Sequence, residues 1–167
     1  MSKELILLRH AKSAWDDATA SDRDRGLNRR GRRNAPQMGR ALADMLDPMI
    51  IHASPARRAQ LTLGGLQDGW PALQDLEHET DEDLYTFSAE DLVRWLHSRG
   101  DDEASLFLIC HNPAFTDLVN WLCDDMVLEN LPTAGFARLE LAISSWSELS
   151  RGCGRLLDTL FPRELEQ

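Results

Sequence analysis

Residues 5–10 read LILLRH, a run of four apolar residues that leads directly into an arginine and a histidine. A short continuous apolar run is typical of a strand that is buried on both faces. Such a strand usually ends at glycine, asparagine, aspartate or proline. This one ends at Arg9 and His10, so the sequence places two basic groups at the end of a buried strand.

Two further apolar runs are also followed by basic groups. The run MIIHA at 49–53 comes shortly before Arg57 and Arg58, and the run SLFLIC at 105–110 ends directly at His111. Both runs lead into helix-start signals, and the free N–H groups and the dipole of a helix N-terminus favour an anion. Two histidines and at least two arginines at one edge would be unfavourable without a negative ligand between them. Phosphate is the obvious candidate.

Helix patterns alternate with the apolar runs along the chain. The predicted helix starts are Asn28, Ser54–Pro55, Ser88 with Asp91 as a capping-box-like pair, and Asn112–Pro113. Two late strands are predicted within 135–143 and 154–161. This alternation predicts a three-layer α/β/α sandwich with a mainly parallel sheet, in a single domain over 1–167. Ligands of such sheets bind at the carboxyl ends of the strands, where the basic groups should meet.

Composition limits the class of partner. The 28 acidic and 18 basic side chains give a net charge of −10, which argues against nucleic acid or an anionic membrane as the main partner. The three cysteines form no CxxC pair and do not predict a zinc site or a disulfide scaffold. No apolar run is long enough to span a bilayer or to act as a signal peptide. We therefore expect a cytoplasmic protein.

Several motifs together resemble a known family. RHAKSAW at 9–15, SPARRAQLT at 54–62 and HNP at 111–113, in this order, resemble the histidine phosphatase superfamily, whose hallmark is Arg-His at the end of the first strand. The motifs that indicate its small SixA-like phosphohistidine phosphatase branch are DRDRGLNRRGRRNA at 22–35, LPTAGFARLEL at 131–141, Trp146 and FPREL at 161–165. The resemblance covers nearly the whole chain and implies a phosphoglycerate-mutase-like fold.

The resemblance implies a role for each basic group. His10 would be the nucleophile that becomes phosphorylated, Arg9 and Arg58 would bind the phosphoryl oxygens, and His111 would be the second histidine of the phosphate pocket. Neutral imidazole is a good nucleophile, and arginine offers paired donors that match phosphate oxygens. This chemistry requires neither a metal ion nor a cofactor. Arg57 is as well explained by a solvated helix position.

Four further residues are candidates for the site. Many family members use a carboxylate after the second helix to protonate the leaving group, and Glu82 or Asp83 is our candidate. Ser13 and Asn112 are candidates for phosphate contacts, although Ser13 is equally well explained as capping its own turn. Cys110 stands where the family usually has glycine, and we expect its side chain to point into the core.

The arginine-rich stretch from Arg23 to Arg33 contains six arginines. A solvated loop and helix face, balanced by Asp22 and Asp24, is the simplest interpretation. Docking of an acidic partner protein is the alternative.

The predicted function is a metal-independent phosphatase that acts through a phosphohistidine enzyme intermediate on protein-borne phosphohistidine. A general small-molecule phosphomonoesterase and a non-catalytic phosphate-binding module are the alternatives. The expected partner is a phosphorylated protein or a small phosphorylated substrate, and we expect a monomer.

Overall fold

One six-stranded sheet forms the centre of the protein. The computed structural model describes residues 1–166. The strands are β1 (Lys3–Arg9), β2 (Ile51–Ala53), β3 (Glu79–Thr80), β4 (Ser105–Cys110), β5 (Phe136–Leu141) and β6 (Gly154–Leu160). Their order is β3-β2-β4-β1-β5-β6, and β5 alone runs against the other five. The predicted mainly parallel sheet is confirmed.

Helices cover both faces of this sheet. They are α1 (Arg29–Ala43), α2 (Arg57–Gly69), α3 (Ala89–His97) and α4 (Ala114–Cys123). In β1, Leu5 and Leu7 are buried in the cluster that includes residues of α3 and α4, whereas Ile6 and Leu8 are buried in the cluster that includes residues of α1 and α2. Because successive side chains of a strand point to opposite faces, the apolar run has a core on each side. This is the predicted three-layer α/β/α sandwich.

Glycines allow α1 and α2 to pack closely. A Cβ atom on Gly39 would lie 2.5 Å from the carbonyl oxygen of Leu66, and one on Gly69 would lie 2.1 Å from that of Pro36. Neither distance is possible for a real Cβ, so the two backbones approach in a way that only glycine permits. This contact fixes α2, whose first turn carries Arg58.

The local starts of three helices differ from the prediction. Helix α4 begins at Ala114, and Pro113 takes the N-cap position predicted for Asn112. Helix α2 begins at Arg57, and the hydroxyl of Ser54 accepts a hydrogen bond from the backbone N–H of Ala56 instead of capping the helix. Ser88 makes no side-chain capping bond at α3. The carboxylate of Asp91 instead accepts a hydrogen bond from the hydroxyl of Thr86 at 2.6 Å. At the starts of α2 and α3 the observed hydrogen bonds differ from the caps that the sequence predicts.

Among residues 1–166, no helix has the length and apolar character needed to cross a membrane.

Candidate active site

Three neighbouring strands place their carboxyl ends side by side. β2, β4 and β1 are adjacent in the sheet, and Ser54, His111 and His10 directly follow them. The backbone continues the ladder beyond the strands, because His10 N–H donates to the carbonyl of Cys110 at 3.2 Å. The imidazole ring centroids of His10 and His111 lie 5.3 Å apart. The structure thus brings the two histidines predicted from the run ends into one pocket.

His10 is held in one tautomer by its own backbone neighbour. Its Nδ1 lies 2.8 Å from the carbonyl oxygen of Ala11, which can only accept, so Nδ1 carries the proton and Nε2 keeps a free lone pair. The side chain is buried, and burial lowers its pKa to about 3. The hydrogen bond to Ala11 raises the pKa, but the charges of Arg58 and Arg9 lower it further. His10 is therefore neutral near pH 7, with one nitrogen available as a nucleophile.

Arg58 lies at the centre of the pocket, and Arg57 lies outside it. The Arg58 residue is 1% exposed, and its guanidinium donates to the carbonyl oxygen of Asp22 at 2.6 Å and to Oδ2 of the same residue at 3.1 Å. Arg57 is exposed. The first turn of α2 therefore turns the second arginine of the pair toward the histidines.

Arg9 approaches the pocket from the end of β1. Its Nη1 donates to the carbonyl of Leu131 at 3.0 Å, and its pKa is lowered by burial and by the nearby charge of Arg58. In the part of the chain that the structure describes, Arg9 Nε and Arg58 Nε are buried donors with no hydrogen-bond partner. A buried unsatisfied donor is costly, and an oxyanion would satisfy such groups.

His111 is fixed through both ring nitrogens. Arg58 Nη2, which can only donate, lies 3.4 Å from Nδ1, so the proton is on Nε2, which donates to the hydroxyl of Ser54 at 2.8 Å. Burial lowers its pKa to about 3, and the neighbouring His10 and Arg58 act in the same direction. This contact explains why Ser54 does not cap α2.

Asp22 is a pocket residue that the sequence did not indicate as part of the site. Its carboxylate lies on Arg58, accepts a short hydrogen bond from the hydroxyl of Tyr85, and is 3.1 Å from the guanidinium of Arg25. Burial raises its pKa, but the bonds from Tyr85 and Arg58 outweigh that effect and lower the value to about 2. An ionised carboxylate therefore balances part of the charge on Arg58 and Arg25.

The arginine-rich stretch divides between the pocket and the surface. The Arg25 side chain is only 13% exposed, and its charge contributes to the lowered pKa of His10, so it belongs to the pocket. Arg23 forms a surface ion pair with Glu82. Arg33 pairs with Glu166 over a distance of 3.6 Å. A solvated face therefore describes part of the stretch, and Arg25 is the residue that this interpretation missed.

The two predicted carboxylates lie on the surface in a short 3₁₀ turn, Glu82–Leu84. Both oxygens of Glu82 accept hydrogen bonds from Arg23, and these bonds lower its pKa. Asp83 is exposed. A residue that protonates a leaving group needs a pKa raised toward the working pH. The arrangement of Glu82 in this structure does not favour that role.

The two predicted phosphate contacts outside the four central residues have different surroundings. Ser13 is buried next to the pocket segment and forms a backbone bridge with Leu27. Asn112 donates to the side chain of Asn130 and to the carbonyl of Leu131, and its oxygen accepts from the N–H and the hydroxyl of Thr116. All hydrogen-bonding positions of the Asn112 amide are used, so we assign it to positioning the start of α4.

Cys110 points away from the pocket, into the core shared with α3 and α4. Its thiol donates to the carbonyl of Leu84 at 2.7 Å, and burial raises its pKa to about 12. The side chain thus takes the direction expected from the sequence. It also ties the end of β4 to the segment that carries Tyr85 and Phe87.

Within residues 1–166, no group of three or more histidine, cysteine, aspartate or glutamate residues is arranged to hold a metal ion.

The fold and the pocket together define a class of enzyme. The carboxyl edge of the sheet carries His10, His111, Arg9 and Arg58 together, as the resemblance to the histidine phosphatases and their phosphoglycerate-mutase-like fold implies. The family model described as histidine phosphatase superfamily (branch 1) matches residues 5–105. The chain belongs to this superfamily, and it is a hydrolase of the phosphatase class.

Similar proteins place it more narrowly. A protein assigned as the phosphohistidine phosphatase SixA of Agrobacterium tumefaciens is 26% identical, with a TM-score of 0.78 over 96% of this chain and 98% of that one. A protein histidine phosphatase SixA complexed with tungstate shares the fold, at 24% identity and a TM-score of 0.78 over 98% and 99% of the two chains. An uncharacterised chloroplastic protein of Arabidopsis thaliana is 27% identical over 89% of this chain and 71% of its own length. The protein is SixA-like.

Proposed function

We propose that the protein removes phosphoryl groups from histidine side chains of other proteins, through a phosphorylated His10. The observation that carries this proposal is the neutral, single tautomer of His10 beside Arg58 and His111. The similarity of the chain to proteins called SixA phosphohistidine phosphatases supports the choice of phosphohistidine as the substrate.

In the first step, the lone pair of His10 Nε2 attacks phosphorus and forms a P–N bond. The bond to the leaving group breaks, and its electron pair departs with that group. Arg9 and Arg58 neutralise the charge on the phosphoryl oxygens, which is the main source of rate acceleration for a loose phosphoryl transition state.

In the second step, water attacks the phosphorylated His10, the new P–N bond breaks, and inorganic phosphate leaves. His111 faces Arg58 with Nδ1, which can only accept a hydrogen bond because the ring proton is on Nε2 and is donated to Ser54. Both histidines are neutral at neutral pH, so neither has to lose a proton before the reaction.

A phosphohistidine substrate fits the carboxylates near the pocket. Asp22 and Glu82 both have lowered pKa values and are ionised at neutral pH, and so neither is ready to protonate an alkoxide. An imidazole leaving group can carry its own proton, which reduces the need for a catalytic acid. An alkyl phosphate has no such advantage.

The small size of the segment between α2 and β4 also supports a protein substrate. Its longest element is α3, which packs beside α4, and the rest of residues 70–104 forms only short elements. Tyr85 and Phe87 of this segment border His111, and a phosphorylated side chain of another protein would approach the pocket past them.

The experiment compares kcat/KM for a phosphohistidine protein, a phosphohistidine peptide, p-nitrophenyl phosphate and an alkyl phosphate such as glycerol 3-phosphate, each with and without EDTA. We expect the phosphohistidine substrates to be hydrolysed fastest and EDTA to have no effect. Preferred hydrolysis of the alkyl phosphate would favour a general phosphomonoesterase instead. Loss of activity in EDTA, restored by a divalent metal, would contradict metal independence.

The compartment and the assembly state remain predictions. Cys110, Cys123 and Cys153 are free thiols in the structure, which is compatible with the reducing cytoplasm. Light scattering of the purified protein tests whether it is the monomer we expect.

A further inference from the structure

Three aromatic rings meet beside the phosphate pocket. The ring of Phe87 lies 5.1 Å from that of His111, the ring of Tyr85 lies 5.6 Å from it, and the two rings are 5.9 Å apart. His111 is fully buried, whereas Phe87 is 47% exposed. Phe87 therefore has one side on a pocket histidine and the other side open to solvent.

The backbone around Phe87 is held on both sides. The thiol of Cys110 donates to the carbonyl of Leu84, and the hydroxyl of Thr86 donates to Asp91 and accepts from the N–H of Ser88. The hydroxyl of Tyr85 donates to Asp22. An exposed aromatic side chain on a fixed segment loses little conformational entropy when a ligand packs against it.

The location of Phe87 beside the phosphate pocket determines which part of the substrate it can contact. The phosphoryl group must lie within reach of His10 Nε2 and Arg58, in the buried part of the pocket. The leaving group therefore extends toward solvent, on the side where Phe87 and Tyr85 border His111. Aromatic faces attract a flat ring more strongly than a short chain of similar polarity.

We propose that Phe87 and Tyr85 form a leaving-group subsite that selects phosphoryl groups attached to a planar ring. This inference rests on the proposed function, because phosphohistidine carries its phosphoryl group on an imidazole ring. It goes further in assigning the choice of leaving group to two residues outside the phosphate pocket. It also extends to aryl phosphates, which share the ring but not the P–N bond.

The test uses two substrates that share the P–N bond and differ in the ring, namely phosphohistidine and phosphoramidate. For each enzyme variant, the quantity measured is the ratio of kcat/KM for the ring substrate to kcat/KM for the ringless one. In Phe87→Leu, which keeps an apolar cover on His111 but has no ring, we expect the ratio to fall roughly three- to tenfold. Phe87→Tyr should keep most of the wild-type ratio.

The matched control is Met126→Leu, at an exposed apolar residue just after α4, which runs from the pocket edge to the opposite edge of the sheet. This substitution should leave the ratio unchanged. An equal loss of activity on both substrates in Phe87→Leu, or no loss on either, would overturn the subsite and leave Phe87 only as a cover for His111.

A second pair of substrates separates this inference from the proposed function. If phosphohistidine is not hydrolysed, the same ratio is measured for p-nitrophenyl phosphate against acetyl phosphate. A fall of that ratio in Phe87→Leu would support the ring subsite even though the proposed phosphohistidine substrate is wrong. An unchanged ratio would overturn the subsite independently of the natural substrate.

Discussion

At the scale of single residues, Asp22 and an incoming phosphoryl group have to share the guanidinium of Arg58. The Asp22 carboxylate is ionised, and its Oδ2 accepts one hydrogen bond from Arg58, while the backbone carbonyl of Asp22 accepts another. We predict that Asp22→Asn, which keeps the size and an acceptor oxygen, lowers the inhibition constant for orthovanadate about tenfold, because a like charge is removed. The inhibition constant is measured for wild type and variant with p-nitrophenyl phosphate as the competing substrate. Weaker inhibition would show instead that the carboxylate orients Arg58.

The arginine pair at the start of α2 gives a sharp comparison between neighbours. Arg58 is buried on the pocket histidines, and Arg57 is exposed. We predict that Arg58→Ala lowers kcat/KM at least about a hundredfold, as the loss of one transition-state donor does, and that Arg57→Ala costs far less. Steady-state kinetics on one substrate tests both variants. A larger effect at Arg57 would mean that the first turn of α2 has a different orientation.

The lowered pKa of His10 makes stability depend on pH. The unfolded chain binds a proton at this histidine below about pH 6.5, whereas the folded protein does so only near pH 3, so the free energy of unfolding decreases as the pH falls between these values. The expected slope from one such residue is about 1.4 kcal/mol per pH unit. Urea denaturation of the wild type and His10→Gln between pH 6 and pH 4 should show a shallower curve for the variant. Parallel curves would contradict the buried neutral imidazole.

How far the pocket could be predicted depended on where each residue lies. His10, Arg9 and His111 directly follow buried strands, and parallel strands bring their ends together, so their meeting was predictable. Asp22 and Arg25 come from an irregular loop, whose path is fixed by contacts far apart in the sequence, such as the bond from Arg58 to Asp22. The DRDRG stretch carried a charge pattern that could have suggested a pocket role, but the same pattern suits a solvated loop.

At the scale of helices and strands, the contact between α1 and α2 depends on glycine at specific positions. A Cβ on Gly39 would overlap the Leu66 carbonyl, whereas one on Gly64 would meet no atom within 4 Å. We predict that Gly39→Ala lowers the free energy of unfolding by roughly 1–3 kcal/mol, as overpacking does. Gly64→Ala should raise it by about 0.5–1 kcal/mol, because alanine is the better helix former. Changes of opposite sign in the free energy of unfolding, measured by thermal or urea denaturation, would confirm the close contact. Changes of the same sign in both variants would contradict it.

The elements themselves were largely visible in the sequence, and their ends were less so. Asn28 caps α1 as predicted, because its side chain accepts from the N–H of Gly31 within the same local segment. Ser54 does not cap α2, since its hydroxyl bonds to His111 from a distant part of the chain, and Ser88 makes no capping bond at α3. The two-residue strand β3 had no periodicity from which to predict it.

At the scale of the whole molecule, the order of the strands follows from the alternation of runs and helices. The parallel part of the sheet was predictable because helices connect β1, β2 and β4. The antiparallel direction of β5 was not predictable, since nothing in its sequence fixes how it pairs with β1. The pocket is formed where three parallel strands end together, so its location depends on the sheet topology. Its chemistry depends on the few side chains that follow those strands.

Trapping of a phosphorylated His10 is the decisive measurement for the nucleophile of this enzyme. The wild-type protein and His10→Ala are mixed briefly with a ³²P-labelled substrate, quenched in alkali and separated from free label. We predict a label on the wild type that is stable in base and lost in acid, as expected for a P–N bond, and no label on the variant. A substantially active His10→Ala, or a wild-type label that survives acid, would contradict His10 as the nucleophile.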